Sequence, residues 1–170
     1  LNHQKVISVV GTRKATSYGK DFCNKLMFDF KNMNIDVQVI SGLAFGIDIT
    51  AHKASIDNNF QTVAVLAHGL DIIYPSQHRK QAKQMLENGG LITEFLTNTV
   101  PDKQNFVKRN RIIAGLSDAT IVVESGLKGG SLITADIANS YNRDVFALPG
   151  KVGDACSMGT NFLIKSNRAA

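Results

Sequence analysis

The chain has 170 residues, 44% hydrophobic and 19% charged, a globular balance of the size that builds one domain around one core. This excludes a disordered polymer, and no apolar run approaches the roughly 20 residues that cross a bilayer. A formal net charge of +5 is as compatible with a nucleic-acid partner as with none. The chain start shows no secretory pattern. Cys23 and Cys156 lack metal-type spacing, and a cytoplasmic compartment with both thiols free is expected.

The first apolar, β-branched run is Val6–Val10, closed by Gly11. A helix is predicted over Ser17–Met33, with Phe22, Leu26, Phe30 and Met33 on one stripe and Lys20, Asp21, Asn24 and Lys25 facing water. The second run, Val37–Ile40, leads through Gly42 into a helix over Gly46–Asn58. The third, Val63–Ala67, ends near Gly69 and precedes a helix over Ser76–Asn88, entered at Pro75 and Ser76. Leu91–Thr93 is followed by a helix starting near Asn105. Ile121–Val123 leads through Gly126 to a helix from near Ser131 to Tyr141, and Val145–Leu148 ends at Gly150. Near-continuous runs imply strands buried on both faces, hence a parallel sheet. Their alternation with helices predicts an α/β fold: a doubly wound, mostly parallel sheet of about six core strands with helices on both faces. No linker or repeat divides residues 1–170, which read as one domain. The start at Leu1 and the stop at Ala170 suggest a fragment of a longer chain lacking small flanking domains.

Ligands of open parallel sheets bind beyond the carboxyl ends of the strands, so the residues after each run matter most. After the first run stand Gly11, Thr12 and Arg13; after the second, Ser41, Gly42 and Gly46; after the fifth, Gly129, Gly130 and Ser131. Glycines let a backbone approach an anion, and the following helix start adds unsatisfied N–H groups and partial positive charge. Ser41, Ser131 and Thr134 add hydroxyls. Any single glycine is better explained as a tight turn; two such loops beside Arg13 favour an anion site. The spacing Gly42-x-x-x-Gly46 is not the dinucleotide fingerprint and no GxxxxGK[ST] run exists, so no cofactor is expected. The segment from Val100 carries Lys103, Phe106, Lys108, Arg109, Asn110 and Arg111 at a helix entrance. Cations neutralise phosphates and a phenylalanine ring stacks a base, but Phe106 is equally readable as a core contact beneath a solvated basic face.

Acids and bases are scattered, without HExxH, GxSxG or CxxC patterns. Asp48 is read as stabilising the first turn of its helix. Glu94 and Glu124, at two strand ends, are read as holding loops in place rather than as an acid–base pair.

Taken together and in order, GTRKATSYG, SGLAFGIDITAH, VLAHGLDIIYP, GGLITEF, FVKRNRIIAGLSDATIVVES, GGSLITADIA and VFALPG resemble the DNA-processing protein family DprA/Smf. The likeness runs from about Val6 to the end. Thr12 stands where a serine often follows the first glycine, and keeps the hydroxyl. The resemblance implies an extended Rossmann-like domain that binds single-stranded DNA with little sequence preference and catalyses nothing. It implies protection of incoming DNA in natural transformation, loading of the RecA recombinase, and a homodimer. It places Arg13 on phosphate, Lys103 and Phe106 on backbone and base, and Arg109 and Arg111 lining or bracing the same pocket, with Gly42 and Gly129 to Ser131 as backbone donors. The competing readings are a nucleotide hydrolase or phosphoribohydrolase-like enzyme, with Glu94 assisting cleavage, and a nucleotide sensor using the same anion pocket.

Overall fold

A computed structural model describes residues 5–170. Six strands, β1 (Lys5–Val10), β2 (Val37–Ser41), β3 (Gln61–Val65), β4 (Gly89–Ile92), β5 (Ala119–Val122) and β6 (Asp144–Ala147), form one sheet in the order β4-β3-β2-β1-β5-β6. Every neighbouring pair is parallel. The chain steps outward from β1 to β4, then returns across the sheet to β5 on the other side of β1. The order therefore reverses between β1 and β5, and there the crossover connections diverge and leave a crevice.

Helices α1 (Ser17–Asn32), α2 (Ile47–Asp57) and α3 (Arg79–Met85) connect the outward steps; α4 (Lys103–Leu116), α5 (Gly130–Ser140) and α6 (Met158–Lys165) belong to the return. One core joins Val9, Val37 and Val39 to Cys23, Met27, Ile47 and Ala51. A second joins Val10, Val122 and Val145 to Ile113, Ala114, Ala135, Ala138 and Leu163. Both sheet faces are thus covered, as the unbroken apolar runs require.

Strands β3 to β6 end one or two residues earlier than the runs do, whereas β1 ends at Val10 as expected and β2 extends to Ser41. Leu66 and Val123 stay buried and still hydrogen-bond across to Ile92 and Val10, so the apolar pattern continues past the last ladder residue. The predicted helix Ser76–Asn88 splits into a 3₁₀ turn, Ser76–His78, and α3, which stops at Met85. In α1 the buried line is Gly19, Cys23 and Met27, flanked by Phe22, Leu26 and Phe30; Met33 lies just past the helix and is exposed. Helix α6 has no counterpart in the sequence expectations. Both cysteines are free, and burial pushes the Cys23 thiol up to about 12. No helix of the described residues is long and apolar enough to cross a membrane.

Candidate nucleic-acid interface

A cleft of about 340 Å³ opens at the carboxyl ends of β1 and β5, where the strand order reverses. Helix α4 forms its far wall. Asp102 caps that helix by accepting from the Gln104 N–H at 2.7 Å, so Lys103 stands at the first helical position. Lys103, Phe106, Asn110 and Ile113 recur every three or four residues and line the cleft as one stripe. At 100° per residue, Arg111 lies about 140° round the helix from Phe106. It does not line the cleft and pairs instead with Glu94 at the surface, which corrects its expected place in the pocket.

The loop after β1 is held from both sides. Thr12 N–H donates to Glu124 O at 2.7 Å, and Ile47 N–H donates to Thr12 O at 3.2 Å. The Thr12 hydroxyl accepts from Lys14 N–H at 3.2 Å. Arg13 is thereby projected, exposed, over the Phe106 ring, its guanidinium carbon 5.0 Å from the ring centroid; that of Arg109 lies at 5.9 Å. Among the described residues Arg13, Lys14 and Lys103 pair with no carboxylate.

The loop after β2 behaves otherwise. The Ser41 hydroxyl is fully buried and donates to Val9 O at 2.6 Å, so it is not a donor to a ligand. Gly42 O is hydrogen-bonded to His52 Nε2 at 2.5 Å, and Leu43 O to His78 Nδ1 at 2.8 Å. A Cβ at Gly42 would stand 2.4 Å from Asp48 Oδ2 and 2.8 Å from Arg109 Nη2. Gly46 has φ +78°, and a Cβ there would stand 2.2 Å from Thr12 O. Ser41, Gly42 and Gly46 are thus removed from the cleft lining by internal packing, against expectation. Asp48 occupies the first turn of α2, as expected, and borders the cleft. Burial pushes its carboxyl up, while Arg109 pulls it down. Burial likewise lowers the Arg109 guanidinium, with Asp48 opposing. Arg109 donates to Val65 O and, from Nε at 3.3 Å, to Asn110 Oδ1: it is a brace behind Phe106.

The loop after β5 is open. Ser125 is pinned by its N–H to Cys156 O and by Gly159 N–H to its own carbonyl, both at 2.7 Å. Gly126, Gly129, Gly130 and Ser131 border the cleft. The Ser131 hydroxyl donates to Ser125 Oγ at 2.9 Å, which leaves the backbone as the ligand-facing part. Helix α5 starts without a side-chain cap, and a Cβ at Gly130 would meet nothing within 4 Å. An uncapped helix start facing a cleft is an anion site in waiting. Of the expected residues, Gly11, Thr12, Arg13, Lys103, Phe106, Arg109, Asn110, Gly129, Gly130 and Ser131 come together. Phe45, Tyr74 and Pro75, which border an adjoining apolar hollow, were not among them. Phe45 follows the second strand and Tyr74 and Pro75 the third, and the rule that ligands gather at strand ends would have flagged both loops.

Glu124 is buried and receives hydrogen bonds from Thr16 N–H at 2.9 Å and from the Thr16 hydroxyl. Glu94 follows β4, four strand steps or about 19 Å from β5, and neither carboxylate lines the cleft. Glu124 holds the entrance of α1 through Thr16, and Glu94 pairs with Arg111 of α4.

The reversed parallel sheet and its cationic, glycine-edged cleft define a Rossmann-like domain with a basic rim. The chain belongs to the DNA recombination-mediator protein A family, whose sequence profile matches residues 1–170. It is 44% identical to Protein Smf of Escherichia coli (strain K12) over 168 residues, 96% of this chain and 43% of that one. It superposes on the X-ray structure of DNA processing protein A (DprA) from Streptococcus pneumoniae with a TM-score of 0.88 at 36% identity, over 98% of this chain and 58% of that one. The protein from Helicobacter pylori, whose structure was described for its single-stranded DNA binding mode, gives a TM-score of 0.88 at 31% identity, over 98% and 74%. The resemblance carried by the sequence motifs is therefore correct. The chain spans about half the length of the curated relatives it matches.

Proposed function

We propose that this chain binds single-stranded DNA through the cleft at the β1/β5 reversal, without catalysing a reaction. The observation that carries this is the convergence of Arg13, Lys103 and Phe106 on one hollow edged by Gly129 and Gly130. Amides at the open start of α5 and the unpaired cations suit phosphates, which every sequence presents alike. A single strand, unlike a duplex, also leaves ring faces free to meet aromatic side chains. That the Helicobacter pylori relative is described as binding single-stranded DNA supports the choice of an unpaired strand as the ligand. Placing Glu94 and Glu124 off the cleft argues against the hydrolase alternative. Protection of DNA in transformation, delivery of the strand to RecA and pairing of two copies complete the proposal, on the strength of family membership.

The test is a titration of a fluorescent dT oligomer against a duplex of equal length, at low and moderate salt. The dT strand should bind more tightly than the duplex and weaken steeply with salt, because each phosphate contact releases counterions. Duplex binding equal to or tighter than dT would contradict the proposal.

A further inference from the structure

The cleft that suits phosphates has an acid in its wall. Asp48 borders it with only 7% of its surface exposed, and among the described residues no ion pair includes it. Arg109 of α4 is close: the place a Cβ of Gly42 would take lies 2.4 Å from Asp48 Oδ2 and 2.8 Å from Arg109 Nη2. That guanidinium is directed elsewhere, with Nη1 to Val65 O and Nε to Asn110 Oδ1. From the loop after β2, the Ser41 hydroxyl gives its proton to Val9 O. One turn along α2, burial keeps His52 neutral between Thr62 and Gly42 O, lowered to about 4. The Cys23 thiol of α1, raised to about 12 by burial and then by Asp48, stays protonated. Glu124, after β5, is turned to Thr16, and Ser131 and Thr134 of α5 border the cleft without charge. Burial pushes the Asp48 carboxyl up, and Arg109, the Ala44 amide, Ser41 and Arg13 pull it down without cancelling that push. A buried carboxyl that faces an anion site without an ion partner is the group there most easily neutralised.

We propose, resting on the single-strand reading above, that Asp48 couples strand binding to proton uptake: its carboxyl takes a proton from solvent as a phosphate enters the cleft beside it. A carboxylate and a phosphate in one cleft repel each other, and a phosphodiester is too strong an acid to give way. Protonation adds one O–H to Asp48 and breaks no bond in the strand. It leaves Arg13 and Arg109 unopposed in front of the phosphate, and the new O–H is a donor on the cleft wall. The coupling is reciprocal: a strand that raises the proton affinity of Asp48 is itself bound more tightly once Asp48 is protonated. Affinity therefore rises as pH falls, and levels off where the carboxyl of the empty cleft is protonated as well.

The experiment measures the affinity of a fluorescent dT oligomer from pH 8 to 5 at fixed salt and in EDTA, for the parent chain and for Asp48→Asn. Thymine keeps its proton throughout this range, so the strand itself does not titrate. Over the linked range the parent should gain up to about tenfold in affinity per unit fall in pH, the slope of one proton per strand. Asp48→Asn should bind more tightly than the parent at the upper end and lose most of the slope. Calorimetric titration of the parent in two buffers of different ionisation heat counts the protons without any variant, and should show uptake of up to one per strand. An affinity independent of pH, zero proton uptake, or the parent's slope in Asp48→Asn overturns the coupling alone. A folded Asp48→Asn that binds more weakly than the parent throughout does the same. A parent chain that binds no dT at any pH overturns the single-strand reading and the coupling with it.

Discussion

The loops after β2 and β5 carry similar sequence signatures, Ser-Gly with a further glycine before a helix, yet they do opposite work. In the first, a hydroxyl, two carbonyls and the space over Gly42 are taken up by Val9, His52, His78, Asp48 and Arg109. In the second, side chains satisfy one another below the surface while Gly130 and the uncapped start of α5 face the cleft. A glycine that makes room for its own protein and a glycine that makes room for a ligand look alike in sequence. The loop after β2 is scaffold: it packs against Arg109 at Gly42 and, through Thr12 O, holds the loop that projects Arg13.

If that contrast holds, damage to the scaffold loop should appear as lost stability and damage to the open loop as lost binding. The largest effect is expected for Arg109→Ala, which empties a buried site, removes the bond to Val65 O and takes away the positive charge near buried Asp48; it should cost roughly 3–5 kcal/mol in urea denaturation. Arg111→Ala, at the exposed pair with Glu94, should stay within about 0.5 kcal/mol. Gly46→Ala comes next: left-handed strain and the clash with Thr12 O together amount to roughly 2–5 kcal/mol, read from the same midpoints.

Acid should loosen the scaffold loop too. Burial lowers His52 to about 4, below the 6.5 of an unrestrained imidazole. The unfolded chain then binds a proton that the folded one refuses. Stability from this site is complete above pH 6.5 and is lost as pH falls through 6.5 to 4, by about 3 kcal/mol. Asp48 has the opposite sign, since its raised carboxyl is protonated earlier in the folded state. Urea midpoints from pH 7 to 4 should therefore decline less for His52→Asn than for the parent; parallel declines would break the assignment. The smallest effect on stability is expected for Gly130→Ala, within about 0.5 kcal/mol at an open helix start. Its dT affinity should nonetheless fall, because the methyl group stands where a phosphate approaches the amides. Unchanged affinity would make the two loops equivalent after all.

All six strands were legible because runs buried on both faces need no alternation to be recognised. The ends of β3 and β5 were not, since Leu66 and Val123 remain apolar where the ladder has stopped. The cleft was legible where chemistry and strand-end position coincide, at Arg13, Lys103 and Phe106. Ser41 failed because sequence shows a hydroxyl but not where it points. Arg111 failed although the helical period places it off the Phe106 face. Tyr74 and Phe45 escaped because an aromatic in a loop carries no periodicity to separate an exposed ring from a core one. The short α6 has too few turns for its apolar face to stand out.

Arg13 and Lys103 line one cleft, and the proposed function has them grip phosphates of an unpaired strand there. That grip is tested most directly by the salt dependence of dT binding for the parent chain and for the double variant Arg13→Ala, Lys103→Ala. Each single-strand phosphate contact contributes about 0.7 to the slope of log K against log salt, so the double variant should be shallower by roughly 1.4 and weaker at low salt. A variant with the parent's slope and affinity would show that the strand does not pass between these residues.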